Sequence, residues 1–256
     1  MNRVALITGS TSGIGKAIAT AFAAAGYDVM FHGLEKDGLQ IAETIGKEMG
    51  VKTAFSNANL KELQSILDLV KDTVKTFGKI DVLINNAGIQ FVSKVEEFPL
   101  EKWNDIIAIN MTSAFVASKA AWPVMKKNGF GRIINISSVH GLRASEYKAA
   151  YVSAKHGVIG LTKVLGLEGA GHNITCNAIC PGYVKTPLVE GQIKDQAKAH
   201  HLSEDEVVKK VMLKKQAVKE FIPEQKIAEL ALLLAKEDAS ALTAGSYVLD
   251  GGWTAQ

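Results

Sequence analysis

A chain of 256 residues with 47% hydrophobic and 21% charged side chains has a globular composition and enough length to bury a large core as one domain, 1–256. Its net charge of +3 comes without a basic block interleaved with aromatics, so no nucleic-acid partner is expected. The two cysteines, Cys176 and Cys180, lack zinc-type neighbours and make no secreted disulfide scaffold, which predicts buried apolar thiols and no metal site.

The first apolar run, VALIT at 4–8, begins so close to Met1 that no leader peptide is expected, and no run approaches the ~20 residues of a bilayer span. A cytoplasmic location without membrane contact follows as the expectation. Similar β-branched runs recur at 28–32, 51–55, 80–85, 132–137, 174–179 and 246–250, mostly continuous rather than alternating, as in strands buried on both faces. Helical patterns separate them at 14–26, 38–50, 60–77, 100–127, 148–169 and 224–236. This alternation predicts an α/β doubly wound fold, a seven-stranded parallel sheet with helices on both faces. One charged insertion, 187–222, interrupts the rhythm. Val207, Val208, Val211 and Met212 give it an amphipathic stripe, and its position predicts a helical lid over the C-terminal sheet edge, where such folds bind ligands.

The first strand runs into TGSTSGIG at 8–15 and then a helix beginning near Ile14. Gly9, Gly13 and Gly15 permit a tight turn whose N–H groups can approach a pyrophosphate at the positive helix end. The second strand ends in FHGLEKD, with Gly33 and Leu34 where a cation for a ribose 2′-phosphate would stand, so NAD is predicted over NADP. Further along, NISSVHGLRASEYKAAYVSAKHG at 135–157 sets Lys148, Tyr151 and Lys155 on one helical face, after Ser138 at a strand end. An ammonium one turn away should lower the pKa of a phenol, bringing Tyr151 toward the range useful for proton transfer. Ser138 can hydrogen-bond an oxygen on which charge develops.

The glycine pattern T-G-x-x-x-G-x-G, NNAG at 85–88, Y-x-x-x-K at 151–155 and CPGYVKT at 180–186 together resemble the short-chain dehydrogenase/reductase family, and the likeness runs to LDGGW at 249–253. The resemblance implies a Rossmann fold and a catalytic tetrad. In it Tyr151 is the general acid/base, Lys155 lowers its pKa and holds the nicotinamide ribose, Ser138 orients the reacting oxygen, and Asn110 supports a relay water. It also implies cofactor contacts from Gly9, Thr11, Gly13, Ile14 and Gly15 in the turn, and from Leu34, Asn59 and Leu60 at the adenosine end. Asn86, Ala87 and Gly88 of NNAG, then Pro181, Gly182, Val184 and Thr186 near the nicotinamide, complete the set with Tyr151 and Lys155. Asn59 departs from the family's usual Asp. The family further suggests a homotetramer built through helices 100–127 and 148–169 and the last strand.

A simple ketone reductase needs no charged group beyond the tetrad. Gln90, His140, Lys148 and Gln192 add two amides, an imidazole and a cation around one cleft, a donor set suited to a small carboxylate. The blocks NNAGIQ, SxHG, KxxYxxxK, PLVExQ and DGGWTA resemble the subgroup of the family that interconverts 3-hydroxybutyrate and acetoacetate, with Tyr183 where relatives carry Trp. The implied reaction is reversible, NAD-dependent oxidation of (R)-3-hydroxybutyrate. Two alternatives stay open: an NADPH-dependent 3-oxoacyl thioester reductase or other short-chain ketone reductase, and a catalytically silent nucleotide-binding protein.

Overall fold

The computed structural model describes residues 2–186, 189–191, 193, 197 and 202–255. Seven parallel strands form one sheet: β1 (Val4–Ile7), β2 (Asp28–His32), β3 (Thr53–Ser56), β4 (Val82–Asn85), β5 (Gly131–Ile136), β6 (Ile174–Pro181) and β7 (Ser246–Leu249), in the order β3-β2-β1-β4-β5-β6-β7. The helices α1 (Gly13–Ala24), α2 (Gly38–Met49), α3 (Leu63–Phe77), α4 (Leu100–Ile107), α5 (Ser113–Asn128), α6 (Ala149–Gly169), α7 (Glu204–Val207) and α8 (Glu224–Ala235) complete the fold.

Alternate side chains of each central strand enter two different cores. Ala5, Ile7, Val82 and Ile84 pack with Ile18 and Phe22 of α1 and Ile227 and Leu234 of α8. Leu6 and Leu83 face the other way, onto Ile66 and Leu69 of α3 and Ala117 and Ala121 of α5. Burial on both faces explains the continuous apolar runs, since a polar side chain on either side of these strands needs a buried partner. The buried cysteines fit the same scheme: burial pushes Cys176 up to about 12 and Cys180 up to about 11, so both stay thiols at neutral pH.

Two expectations are modified. The helix foreseen over 100–127 is interrupted by a π-turn at Ala108–Thr112, which separates α4 from α5 and lifts Asn110 out of the regular helical rotation. In the insertion, α7 starts at a capping box made by Ser203 and Glu206 and passes into a second π-turn at Val208–Met212. Val207 and Met212 are buried there with Val189, against Tyr183, Val211 and Phe221. Among the described residues no helix is long and apolar enough to cross a membrane.

The strand order reverses between the parallel neighbours β1 and β4: from β1 the chain winds toward one edge of the sheet, and from β4 toward the other. The connections after these strands therefore diverge and open a crevice at their C-terminal ends.

Candidate active site

A cavity of about 360 Å³ occupies that crevice. Its floor is the turn between β1 and α1, where Gly9 (φ +63°) and Gly13 (φ +52°) take left-handed conformations that favour glycine. Gly15 is required for a different reason: a Cβ there would lie 2.0 Å from the Gly9 carbonyl oxygen and 2.4 Å from Asn86 Nδ2. Ser12 precedes α1 in an extended conformation and its side chain caps no helical N–H. The first amides of α1 thus face the cavity beside a glycine cradle that side chains would fill, an arrangement fitted to a dinucleotide pyrophosphate.

NNAG braces this floor. Asn86 Nδ2 donates to the carbonyls of Thr8 (2.9 Å) and Gly9 (3.0 Å), while Thr8 Oγ1 accepts from the N–H groups of Asn86 and Ala87. Asn85 instead points into the sheet, donating to Asn135 Oδ1 (2.8 Å). Asn135 in turn donates to Thr162 Oγ1 of α6 (2.9 Å), so a buried amide pair locks β4, β5 and α6 together.

Ser138 follows β5, and α6 brings Tyr151 and Lys155 against it from the side. Lys155 is buried and its Nζ donates to the Ile136 carbonyl at 2.7 Å; burial lowers its pKa to about 8. The Lys155 ammonium lies 5.6 Å from the centre of the Tyr151 ring. Tyr151 does not show the depressed pKa expected from the sequence. Enclosure by protein raises it, and the opposing influence is its hydrogen bond with Ser138. The physical reason is that desolvation of a phenolate outweighs an ammonium already committed to a carbonyl. Asn110, on the π-turn, makes a paired contact with the segment after β4. Its Oδ1 accepts from the Ile89 N–H and its Nδ2 donates to the Ile89 carbonyl, both at 2.9 Å. Both ends of the carboxamide are thus engaged with Ile89, and the side chain braces the segment 88–90 next to the cavity without lining it.

Beyond Ser138 the cavity turns polar. Lys148 is buried, faces the cavity from the start of α6, and stands 5.5 Å from the centre of the Tyr183 ring; burial lowers its pKa to about 8. His140 donates its backbone N–H to Ser138 Oγ (3.2 Å), and its Nε2 lies 3.0 Å from Ser145 Oγ. Burial, reinforced by Lys148, Lys215 and His156, lowers the imidazole to about 3, so it is neutral at physiological pH. Trp253, also buried, tilts against its ring at 5.6 Å. Gln90 lines the same end, whereas Gln192 lies outside the described residues, as do His200 and His201.

At the adenosine end, Leu34, Asn59 and Leu60 line the cavity as foreseen, but Thr11 does not. Its hydroxyl turns away to hydrogen-bond the carboxylate of Glu35, which also accepts from Ser12 Oγ at 3.2 Å. Ser12 and Glu35 take Thr11's place in the lining. Partial burial acts to raise the Glu35 pKa, but hydrogen bonds from Thr11, from its own backbone and from Ser12 hold it below the usual carboxylate value. Sequence reasoning that stops at Gly33 and Leu34 passes over Glu35. The available signal is its distance from Gly15, since an acidic residue ~20 positions past the last glycine is the usual ribose partner in such folds. Apart from Thr11, Asn110 and Gln192, every site residue named from the sequence lines this one cavity.

The short-chain dehydrogenase family model matches residues 3–197. The chain belongs to that family. As a member of the short-chain dehydrogenases it is an oxidoreductase of the kind that uses a nicotinamide dinucleotide. It is 48% identical to the D-beta-hydroxybutyrate dehydrogenase of Rhizobium meliloti (strain 1021), over the full length of both chains. It is 42% identical to the enzyme of that name from Cupriavidus necator, covering 99% of this chain and 98% of the relative. Among solved structures, a single-residue variant of actinorhodin polyketide ketoreductase with NADPH superposes with a TM-score of 0.93 at 32% identity, covering 98% of this chain and 97% of that one. That family member shows the same fold around its nucleotide.

Proposed function

We propose that the protein catalyses the reversible oxidation of (R)-3-hydroxybutyrate to acetoacetate with NAD⁺. The observation that carries this reading is the buried ammonium of Lys148 inside the cavity, one helical turn before Tyr151 and close to the neutral His140. A reductase of uncharged ketones has no use for that cation, whose desolvation is costly unless an anion arrives to pair with it. The names of the two full-length relatives support the same substrate.

In the proposed reaction the acid's carboxylate sits among Lys148, His140, Gln90 and Gln192, and its hydroxyl lies between Ser138 and Tyr151. Ser138 orients the oxygen, and Tyr151 takes the hydroxyl proton in oxidation and returns it in reduction. The dinucleotide, when bound, supplies the hydride acceptor and a positive ring beside Tyr151, which favours the phenolate against the burial described above. Lys155, anchored on the Ile136 carbonyl, would hold the nicotinamide ribose, and Asn110 keeps the neighbouring Ile89 backbone in place.

Absorbance at the reduced-nicotinamide band tests the proposal. Turnover is expected with the (R) acid and NAD⁺, and little with the (S) enantiomer or with a neutral ester. Activity with the ester equal to that with the acid would overturn it.

Glu35 supports NAD over NADP, because a carboxylate lining the adenosine end would repel a ribose 2′-phosphate bound there. Exchanging it for glutamine is expected to reduce the preference for NAD⁺ about 10-fold, mainly by improving NADP⁺ binding. The ratio of kcat/KM values for the two cofactors measures this. An unchanged ratio would remove Glu35 from cofactor selection.

The expected homotetramer has support in exposed apolar side chains on the foreseen elements: Phe115 on α5, Val164 and Leu167 on α6, and Val248 on β7. Sedimentation of the purified protein tests it.

A further inference from the structure

His32, at the end of β2, is an ionisable residue that takes no part in the chemistry proposed above, yet it lines the cavity and is only 3% exposed. Its Nδ1 lies 3.1 Å from the Gly9 amide nitrogen, and its Nε2 lies 2.9 Å from the Ala58 carbonyl oxygen. An amide N–H can only donate and a carbonyl can only accept. The ring is therefore neutral, bare at Nδ1 and protonated at Nε2. Its backbone grips the same turn: the His32 carbonyl accepts from the Ser10 N–H at 2.7 Å, and the His32 N–H donates to Ser10 Oγ at 2.9 Å.

We propose that His32 is a positioning residue for the dinucleotide, its imidazole bridging the glycine turn to the loop after β3 and so fixing the width of the slot between them. Gly9 has no side chain to hold it in its left-handed conformation, so its place depends on bonds supplied from outside the turn. His32 supplies one at its N–H, and Asn86 supplies one at its carbonyl. On the far side, Ala58 leads directly into Asn59 and Leu60, which line the adenosine end. One planar ring, acceptor at one edge and donor at the other, thereby ties together the two walls that a nucleotide must fit between. The inference rests on nucleotide binding by this family and not on the identity of the hydroxy acid.

Protonation at Nδ1 would set one donor against another and open the bridge on the Gly9 side. The glycine turn meets the ring with the Gly9 amide, and the loop after β3 meets it with the Ala58 carbonyl. The charged group acting on it is the Glu35 carboxylate, which favours the cation, while burial opposes the cation more strongly and lowers the histidine's pKa. The bridge should accordingly persist as pH falls through the ordinary histidine range near ~6.5.

The test compares His32→Phe, which fills the space without either bond, with His32→Asn, whose Oδ1 can replace Nδ1 toward Gly9 but cannot reach Ala58. NADH affinity is read by fluorescence titration in the absence of hydroxy acid, so a wrong substrate assignment would not disturb the result. His32→Phe is expected to weaken NADH binding about 10- to 100-fold, with kcat at saturating cofactor changed by less than about 3-fold because the hydride end is untouched. His32→Asn should recover part of the lost affinity. Deuterium uptake by the segment 8–12 in the cofactor-free protein should rise in His32→Phe and stay nearer the parent in His32→Asn. In the parent, NADH affinity should remain flat through the ordinary histidine range. Parent-like NADH affinity in His32→Phe, or a loss confined to kcat, would overturn the proposal. If His32→Phe does not fold, the asparagine variant decides: affinity between that of the parent and a 100-fold loss, with protection of 8–12 retained, supports the bridge, and loss of that protection rejects it.

Discussion

Replacing Tyr151 with phenylalanine is expected to lower kcat by about 10²- to 10⁴-fold, the range associated with a positioned general acid/base. The substitution removes one oxygen and keeps the ring, so the packing of α6 beside His140 and Lys155 is preserved. NADH affinity should stay within about 3-fold of the parent, since the effect belongs to the reacting atoms and not to uniform binding. Steady-state absorbance and a fluorescence titration measure the two quantities separately. A variant that turns over at the parental rate would remove the phenol from the chemistry. The raised pKa of Tyr151 in the chain itself gives a further expectation. The free enzyme should be predominantly the phenol at neutral pH, so kcat/KM for oxidation should climb with pH up to about 8, above which loss of the Lys148 ammonium offsets the gain. The kcat profile, which reports the loaded enzyme, should titrate at lower pH because a cationic ring then lies beside the oxygen.

Loss of the Lys148 ammonium should act on a different parameter. Lys148→Ala is expected to raise KM for (R)-3-hydroxybutyrate by about 100-fold, the scale of removing one member of a buried, hydrogen-bonded charge pair. An ester of the same acid should be almost unaffected, and the discrimination between acid and ester should collapse. pH supplies the same test without mutation. Burial sets the free lysine at about 8, a downward shift, so the group is ammonium below that value and neutral above it. Acid capture is therefore present on the low-pH side and lost on the high-pH side. KM should be flat up to about pH 8 and then rise, approaching 10-fold per pH unit. Lys155 is lowered to about 8 as well, but in the proposed reaction it holds the nicotinamide ribose and should enter through kcat. An acid KM that ignores pH from about 7 to 10, or a Lys148→Ala variant with parental KM, would move the carboxylate elsewhere in the cavity.

Much of the architecture is legible without the structure, for a simple physical reason. Strands covered on both faces, such as Val4–Ile7, are apolar along their length, and such runs are visible in any sequence. The shared helical face of Lys148, Tyr151 and Lys155 follows from spacing alone. What escapes depends on three-dimensional quantities. Nothing in AINMT announces a π-turn, because neither proline nor glycine interrupts it; in the fold both α4 and the turn itself pack against α6. The engagement of Asn110 with Ile89 depends on that turn. The direction of the Tyr151 shift is hidden because spacing reveals a nearby ammonium but not how deeply the phenol is enclosed. Thr11 and Glu35 are far apart in sequence terms, although each settles where the other's side chain goes.

The reversal of strand order has a consequence for how the protein comes to be active. Thr8, at the tip of β1, and Ile84, in β4, are hydrogen-bonded neighbours that lie 76 residues apart in the chain. Two strands and three helices separate them along the backbone, and loop closure of that length makes their encounter slow. Nucleotide affinity should accordingly appear only with the completed assembly. Adding NADH during refolding should trap finished molecules by mass action while leaving the rate of their appearance unchanged.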